Sequence, residues 1–430
     1  MVPENRVQDG IFPIPKLFIG KEDITQFIEE FRGFHVQFAD CFSREEPRER
    51  FAQYMTGQMS QLERKSIEPI ALNVEHATVR SMQHFVSNVV WDEARIISRY
   101  HRMVSEDLGD AEGVLIFDES GFVKKGNDSA GVARQYCGNV GKVENCQVGV
   151  FAAYASRHGY CVLDNRLFIP EKWFGDDYTD RRRKCKFPKD LSFRTKPQLA
   201  ATMLEEIVRE DVIPFRYLVA DTIYGGSPEF MEAVEKIPGV VYMVSLPRDT
   251  LCWVQGPAMM EKTYRYAGEE RKRRIVVEAE NKPITFEKLA KATNDYFWYR
   301  RTVSEGTKGP IAYEFMKKRV VLAKDGKPDR TVWLIVRRPI GGKITTYSYF
   351  ISNAGRSTRL KTFVWLSGMR WAIEQCFEEA KTDLGMDHYE VRKYPGWRHH
   401  MITCMLAHFF LWHMRIRLGE KSASYYAIAA

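Results

Sequence analysis

Apolar residues recur at helical spacing along the first quarter of the chain, with polar residues between them. This pattern predicts helices over residues 24–42, 51–59, 67–74, 79–90 and 94–108. Ser66 and Asp92 stand where two of these helices would begin, and both residue types favour helix starts. We therefore expect an all-α N-terminal domain over residues 1–113, after an extended start that contains Pro3, Pro13 and Pro15.

Two short apolar runs in the next part of the chain each lead into an aspartate. Residues 114–117 run into Asp118, and residues 217–220 run into Asp221, so we expect one strand to end at each aspartate. A short apolar run bounded by polar residues is typical of a strand buried on both faces. A buried carboxylate is costly unless it is paired, protonated or bound to a metal. Judged alone, Asp118 could equally be an aspartate that only caps the next turn.

A later stretch, residues 369–381, predicts a helix that carries charge on one face. Arg370, Glu374, Glu378 and Lys381 lie at offsets 0, 4, 8 and 11, which stack along a helix. An apolar stripe of the same helix would pack on the core, and it comprises Trp371, Cys376, Phe377, Ala380 and Leu384.

Asp118, Asp221 and Glu374 make a set of three carboxylates that could hold two hard divalent cations. Such a pair of cations can activate a nucleophile and stabilise a leaving oxygen in phosphoryl transfer. Two other carboxylates are rivals. Glu119 follows Asp118 directly and would point to the opposite face of a strand, whereas Glu378 lies one turn beyond Glu374 and stays open as the third ligand.

The remaining pattern predicts a mixed α/β core with an interruption. Residues 126–141 are rich in Gly, Ser and Asn and predict an exposed loop, and residues 147–154 and 160–168 predict a hairpin. Strand-like segments then fill much of the gap between Asp221 and Glu374. We expect a helical domain over 1–113, the first part of the core over 114–245, an all-β insertion over 246–345, and the second part of the core with C-terminal helices over 346–430.

The net charge of +8 is unevenly distributed. Residues 1–113 contain 13 basic and 19 acidic residues, whereas residues 246–343 contain 22 basic and 12 acidic ones. A polyanion should therefore meet the later part of the chain. The clusters at 181–186 (RRRKCK) and 271–274 (RKRR) are each typical of a solvated face, but beside a set of carboxylates they favour a nucleic-acid channel.

The eight cysteines are scattered, without a Cys-x2-Cys pair, so neither a disulfide framework nor a zinc site is expected. No apolar run is long enough to span a membrane. We expect a cytoplasmic protein with no membrane partner. His408 and His413 fall on an apolar helix and are interpreted as packing residues.

Four motifs give the chain a specific resemblance to a known family. FDESGFVKKG, the following segment SAGVARQYCGNVGKVENCQVGVFAAY, VADTIYG and RWAIEQCFEEAK together resemble the DDE transposases of bacterial insertion sequences, within the IS4-like group and closest to the IS701 family. That group carries a Tyr-x2-Arg-x3-Glu-x6-Lys signature. Arg370, Glu374 and Lys381 fit its spacing, but Ser367 stands at the tyrosine position.

The resemblance implies an RNase H-like core with Asp118, Asp221 and Glu374 as catalytic and metal-binding residues. It also implies two Mg²⁺ ions, for which Mn²⁺ could substitute, and cut-and-paste transposition. The expected partners are double-stranded DNA, both transposon end inverted repeats and target DNA, and a second copy of the chain. The expected DNA-binding residues are Arg370, Lys381, Lys124, Lys125, Trp298, Arg300 and Arg301.

Three alternatives stay open from the sequence. Trp298 could stack on a displaced base, or it could pack under the β-sheet. The chain could be a domesticated or inactive DNA-binding protein that keeps the fold. It could also be an RNase H-like nuclease that hydrolyses DNA without strand transfer.

Overall fold

The computed structural model describes residues 21–267, 269–277, 282–306, 309–341 and 346–429. The Pro-rich start with Pro3, Pro13 and Pro15 lies outside these residues. No helix among them is both long enough and apolar enough to cross a membrane.

The described chain begins with five helices, which confirms the helices predicted there. They are α1 (Lys21–Val36), α2 (Glu45–Met59), α3 (Ile67–Asn73), α4 (Val79–Asn88) and α5 (Glu93–Leu108). Local sequence sets two of the starts. Thr78 and Ser81 form a reciprocal capping box at α4, and the Asp92 side chain accepts a hydrogen bond from the Arg95 N–H at α5.

Four antiparallel strands follow: β1 (Val114–Val123), β2 (Ala133–Cys137), β3 (Lys142–Ser156) and β4 (Gly159–Phe168). β3 pairs with β1 along one edge and with β2 and β4 along the other. The expected loop over 126–141 is wrong in part, because it contains β2. The Gly and Asn residues there supply only a tight turn, in which Gly141 adopts a positive φ of 65°, and β2 pairs back onto β3.

Two helices, α6 (Thr179–Lys184) and α7 (Lys196–Glu210), lead to β5 (Tyr217–Ala220), α8 (Thr222–Gly225), α9 (Pro228–Glu235) and β6 (Val241–Ser245). The next elements are β7 (Leu251–Trp253), β8 (Met259–Tyr266), β9 (Glu269–Val276), β10 (Ile284–Thr285), α10 (Phe286–Ala292), β11 (Tyr299–Gly306), β12 (Gly309–Lys324), β13 (Lys327–Pro339) and β14 (Ser348–Ser352). The chain ends with α11 (Leu360–Leu384) and α12 (Tyr394–Ala429).

The chain divides into two compact units. The first comprises Met1–Arg216, Glu232–Pro238 and Arg370–Ala430. In its core α12 packs against β4, α4 and α2. The Tyr54 hydroxyl contacts His400 Nδ1 at 2.8 Å, and the Trp91 and His399 rings stack with centroids 3.9 Å apart. The N-terminal helices therefore share their core with the C-terminal helix.

The two histidines of α12 interpreted as packing residues also lie in this unit. His408 is buried and pairs with Glu379 at 2.8 Å, whereas His413 pairs with Asp107 at 2.5 Å. Each of the two imidazoles thus has a carboxylate partner inside the protein. The packing interpretation is confirmed for His408.

The second unit comprises Tyr217–Met231 and Gly239–Met369 and contains a mixed sheet. Its strand order is β10-β7-β12-β13-β14-β6-β5, with β11 paired to β12, and only β5 and β6 run parallel among these pairs. β8 and β9 form a separate two-stranded sheet.

The stretch 246–345 differs from the expected all-β insertion in two respects. It contains the helix α10, whose start is capped by Thr285 through the Lys288 N–H. Its strands also continue the sheet of the preceding core strands, because β14 pairs with β6 through Phe350 and Ser245. Residue 246 is consequently not a boundary between the two compact units.

Candidate active site

Asp118 lies in the middle of β1 and not at its end. The expectation that the strand stops at this residue is wrong, because β3 supplies pairing partners as far as Cys146, which lies opposite Val123. Asp118 itself lies opposite Phe151. The polar residues after Asp118 therefore remain in the strand, and residues two apart share a face.

Gly121 allows the ladder to continue past Asp118. A Cβ atom at this position would lie 2.5 Å from the Sγ of Cys137 in β2. Real Cβ atoms do not approach sulfur so closely, so any larger residue would force the Cys137 side chain or the strands around it to shift. The glycine is needed here for close approach and not for turn formation.

The part of α11 from Arg370 onward contacts the face of β1 that carries Asp118 and Ser120. Arg370 Nη2 donates to Asp118 Oδ2 at 2.9 Å. Lys381 Nζ donates to Ser120 Oγ at 2.8 Å and lies 5.4 Å from the centre of the Phe122 ring. Burial lowers the pKa of Lys381. The two cations of the Arg-x3-Glu-x6-Lys spacing thus fasten the helix to the strand.

Glu374 lies one helical turn after Arg370 and approaches the same guanidinium nitrogen. Its Oε1 is 3.6 Å from Arg370 Nη2. The Asp118 side chain is 13% exposed and that of Glu374 is 59% exposed. A largely buried carboxylate and an accessible one therefore converge on a single cationic nitrogen. Within the described ranges, no three His, Cys, Asp or Glu side chains are arranged as a ready metal-binding group.

The rival carboxylates are arranged differently. Glu119 points to the other face of β1, as alternation predicts, and accepts a hydrogen bond from Lys196 Nζ of α7 at 2.8 Å. Glu378 is exposed. Glu379, which the sequence did not single out, accepts hydrogen bonds from the Tyr160 hydroxyl at 2.7 Å and pairs with His408. Glu379 is thus part of the packing of this unit.

The predicted apolar stripe of α11 is correct for four of its five residues. Cys376, Phe377, Ala380 and Leu384 are buried. Trp371 is 44% exposed, and its ring meets the Tyr160 ring edge-on at 5.9 Å.

Asp221 belongs to the second compact unit, where it directly follows β5 as predicted. Its backbone carbonyl accepts hydrogen bonds from the N–H groups of Tyr224 at 3.1 Å and Gly225 at 2.9 Å. These bonds form the first turn of α8 and fix the backbone of Asp221. Its side chain is half-buried.

Lys124 and Lys125, both predicted to contact phosphates, differ in exposure. Lys124 Nζ donates to the carbonyl oxygen of Tyr389 at 3.0 Å and lies 3.4 Å from the centre of its ring. Burial lowers the pKa of Lys124 to about 8. Lys125 is exposed, as are Arg300 and Arg301 on β11. The geometry therefore leaves Lys125, Arg300 and Arg301 accessible, and it gives Lys124 a partner inside the protein.

Trp298 packs inside the second unit, in agreement with the packing alternative. It is 7% exposed, its Nε1 donates to the carbonyl oxygen of Thr293 at 3.4 Å, and the Arg338 guanidinium lies 4.1 Å from its ring. The neighbouring Tyr296 is 80% exposed. Spacing along YFWYRR could not separate these two aromatic residues, because Tyr296 lies within a 3₁₀ turn that Trp298 directly follows.

Comparison with known proteins gives three matches. A family described as DDE superfamily endonuclease matches residues 37–310. A probable transposase for insertion sequence element IS701 from Microchaete diplosiphon is 22% identical over 373 residues, which cover 86% of this chain and 83% of that protein. A piggyBac transposase, solved by cryo-EM as a synaptic complex with hairpin DNA, aligns with 88% of this chain and 70% of its own, at 10% identity and a TM-score of 0.42.

Proposed function

The chain belongs to the DDE superfamily endonucleases, and from this premise we propose that it is a transposase. It would cut DNA at the ends of a mobile element and join the freed 3′ hydroxyl to target DNA. The similarity to the IS701 protein over most of both chains supports this proposal. We further propose that β1, β3, β4 and β5 belong to an RNase H-like core.

The observation that carries the proposal is the convergence of Asp118 and Glu374 on Arg370 Nη2. Oxygen donors of this kind suit a hard divalent cation, because Mg²⁺ prefers carboxylate oxygens and keeps further positions for water and phosphate. We propose that Asp118, Asp221 and Glu374 hold two Mg²⁺ ions, with Mn²⁺ as a substitute. When bound, such ions would acidify a water molecule and neutralise charge on the phosphoryl oxygens.

The surrounding residues would orient these carboxylates. The Glu119 N–H donates to Asp118 Oδ1 at 2.8 Å, while Arg370 donates to Oδ2, so both oxygens of Asp118 are directed. Lys381 holds α11 on β1 through Ser120. Arg370 and Lys381 are therefore positioning residues in this proposal, and the exposed Glu374 is free to meet a substrate-bound cation.

We propose double-stranded DNA as the substrate, both as transposon end repeats and as target, and a homodimer as the acting form. The excess of basic residues over 246–343 and the exposed Lys125, Arg300 and Arg301 are suited to contact phosphates. The protein would act where bacterial DNA lies, in the cytoplasm.

The test is cleavage of a labelled duplex taken from the DNA that flanks the coding sequence of this element. Wild type is compared with Asp118→Asn, Asp221→Asn and Glu374→Gln in Mg²⁺, in Mn²⁺ and in EDTA, with Glu378→Gln as the matched control. We expect metal-dependent cutting that is lost in the first three variants and kept in the control. Normal cutting by Glu374→Gln and none by Glu378→Gln would assign the third ligand to Glu378.

Two other outcomes would contradict the proposal and favour a different function. DNA binding without cutting by wild type would indicate a domesticated or inactive DNA-binding protein. Cutting without joining of a supplied 3′-hydroxyl end would indicate an RNase H-like nuclease.

A further inference from the structure

Two lysines that are far apart in the sequence meet at one amide oxygen in the first compact unit. Lys186 Nζ lies 2.9 Å and Lys393 Nζ 2.5 Å from Oδ1 of Asn88, the last residue of α4. Two ammonium groups thus share one neutral acceptor. Among the described residues, neither lysine forms an ion pair with a carboxylate.

The backbone holds these lysines side by side. The Tyr394 N–H donates to the carbonyl oxygen of Cys185 at 2.8 Å. The chain neighbour of one lysine is thus hydrogen-bonded to the chain neighbour of the other. Lys186 adopts a left-handed φ of 53°, which is uncommon for a residue other than glycine. Phe187 then packs its ring between Trp173 and Tyr394. The backbone therefore places the two lysines next to each other, and their proximity does not depend on flexible side chains alone.

Like charges held this close are unfavourable unless an anion compensates them. The pKa of Lys393 is lowered, first by burial and then by the charge of Lys186. The nearby carboxylate of Asp128 pairs instead with Arg392, at 3.8 Å. Among the described residues, no paired carboxylate therefore balances the charge of the two ammonium groups where they meet.

We propose that Lys186, Lys393 and Asn88 form a phosphate-binding site that receives a backbone phosphate of DNA. Two ammonium groups supply charge and donors, and the Asn88 amide orients them. The proposal rests on the proposed function for the identity of the substrate, since DNA is the source of phosphate that a transposase meets. A free phosphate ion has the same chemistry and is the other source.

The experiment measures binding of a labelled duplex in EDTA across a range of salt concentrations, so that no cutting is required. The double variant Lys186→Gln/Lys393→Gln should bind about ten-fold more weakly, and the slope of log K against log salt should fall by about 1 to 2. Lys189→Gln, at an exposed lysine three residues away, is the matched control and should behave as wild type.

A second variant separates binding from a structural role. Asn88→Asp keeps both lysines and places a carboxylate between them, so it should weaken DNA binding without lowering the melting temperature. If the double variant and Asn88→Asp both bind DNA with wild-type affinity and salt slope, and bind inorganic phosphate as wild type does, the proposal is overturned. Loss of phosphate binding with unchanged DNA binding would assign the site to the free anion.

These results are independent of the cleavage test. If DNA binding depends on the two lysines but the protein never cuts DNA, only the proposed transposase activity is contradicted. Normal cutting with wild-type DNA binding in all variants would contradict the phosphate site alone.

Discussion

Arg370 and Asp118 are 252 positions apart in the chain, yet Arg370 Nη2 donates to Asp118 Oδ2 at 2.9 Å. This ion pair joins the helix α11 to the strand β1 and directs one oxygen of the candidate metal ligand. Glu374 Oε1 lies 3.6 Å from the same nitrogen. Arg370 therefore compensates two of the three carboxylates that we propose for cation binding, and its removal should show how much these two are stabilised by a cation.

Arg370→Gln should lower the free energy of unfolding by about 1–3 kcal/mol in EDTA, because it leaves the largely buried Asp118 carboxylate without its charged donor. Addition of Mg²⁺ should restore more stability to the variant than to wild type. Urea unfolding with and without Mg²⁺ measures both effects. Lys361→Gln, at an exposed position of the same helix, should change neither. Equal responses to Mg²⁺ in Arg370→Gln and wild type would contradict the proposed role of these carboxylates.

Lys124 should make the stability of the protein depend on alkaline pH. Burial lowers its pKa to about 8 from 10.5. Between these values the unfolded chain holds the proton and the folded protein does not, so stability rises with pH. Below pH 8 the folded protein carries the full cost of burying the charged Lys124 amine. Between pH 8 and pH 10.5 this cost disappears, and the free energy of unfolding rises by at most about 3 kcal/mol.

Urea unfolding at several pH values from 7.5 to 10 checks this dependence. Lys124→Met should remove the rise, whereas Lys125→Met, at the exposed neighbour, should keep it. The same rise in Lys124→Met and wild type would show that another group is responsible.

Trp298 should contribute to stability far more than Tyr296. Trp298 is 7% exposed and lies against Arg338, whereas Tyr296 is 80% exposed. Trp298→Ala should therefore cost about 3–5 kcal/mol, the usual loss for a buried tryptophan, and Tyr296→Ala less than about 0.5 kcal/mol. Thermal or urea unfolding of the two variants gives the comparison. Equal stabilities would mean that Trp298 does not pack as described and would favour its role as a stacking platform.

Gly121→Ala should destabilise the candidate active site through the strand that carries Asp118. The new Cβ would lie 2.5 Å from Cys137 Sγ, and the resulting shift should cost about 1–3 kcal/mol. Gly126→Ala is the control, because nothing lies within 4 Å of a Cβ there. The free energy of unfolding is the measurement. A Gly121→Ala variant as stable as the control would indicate that Cys137 does not lie as close to β1 as described.

Local sequence patterns were sufficient to predict the elements that carry the candidate site. Helical periodicity located α1 to α5 within a few residues, except that α1 ends and α2 starts six residues earlier than predicted. Alternation put Glu119 on the face of β1 opposite Asp118. The offsets of Arg370, Glu374 and Lys381 predicted a shared helix face. These inferences succeed because side-chain direction along a helix or strand repeats with a local period. The family resemblance also came from short motifs, and the DDE endonuclease match confirms it.

The contacts of these side chains could be read only from the folded protein. Periodicity could not reveal that β3 extends β1 beyond Asp118, since a strand ends where its distant partner ends. It could not distinguish the half-buried Lys124 from the exposed Lys125, or bring Lys186 and Lys393 to Asn88. Burial and pairing depend on residues tens to hundreds of positions away, which no local pattern contains.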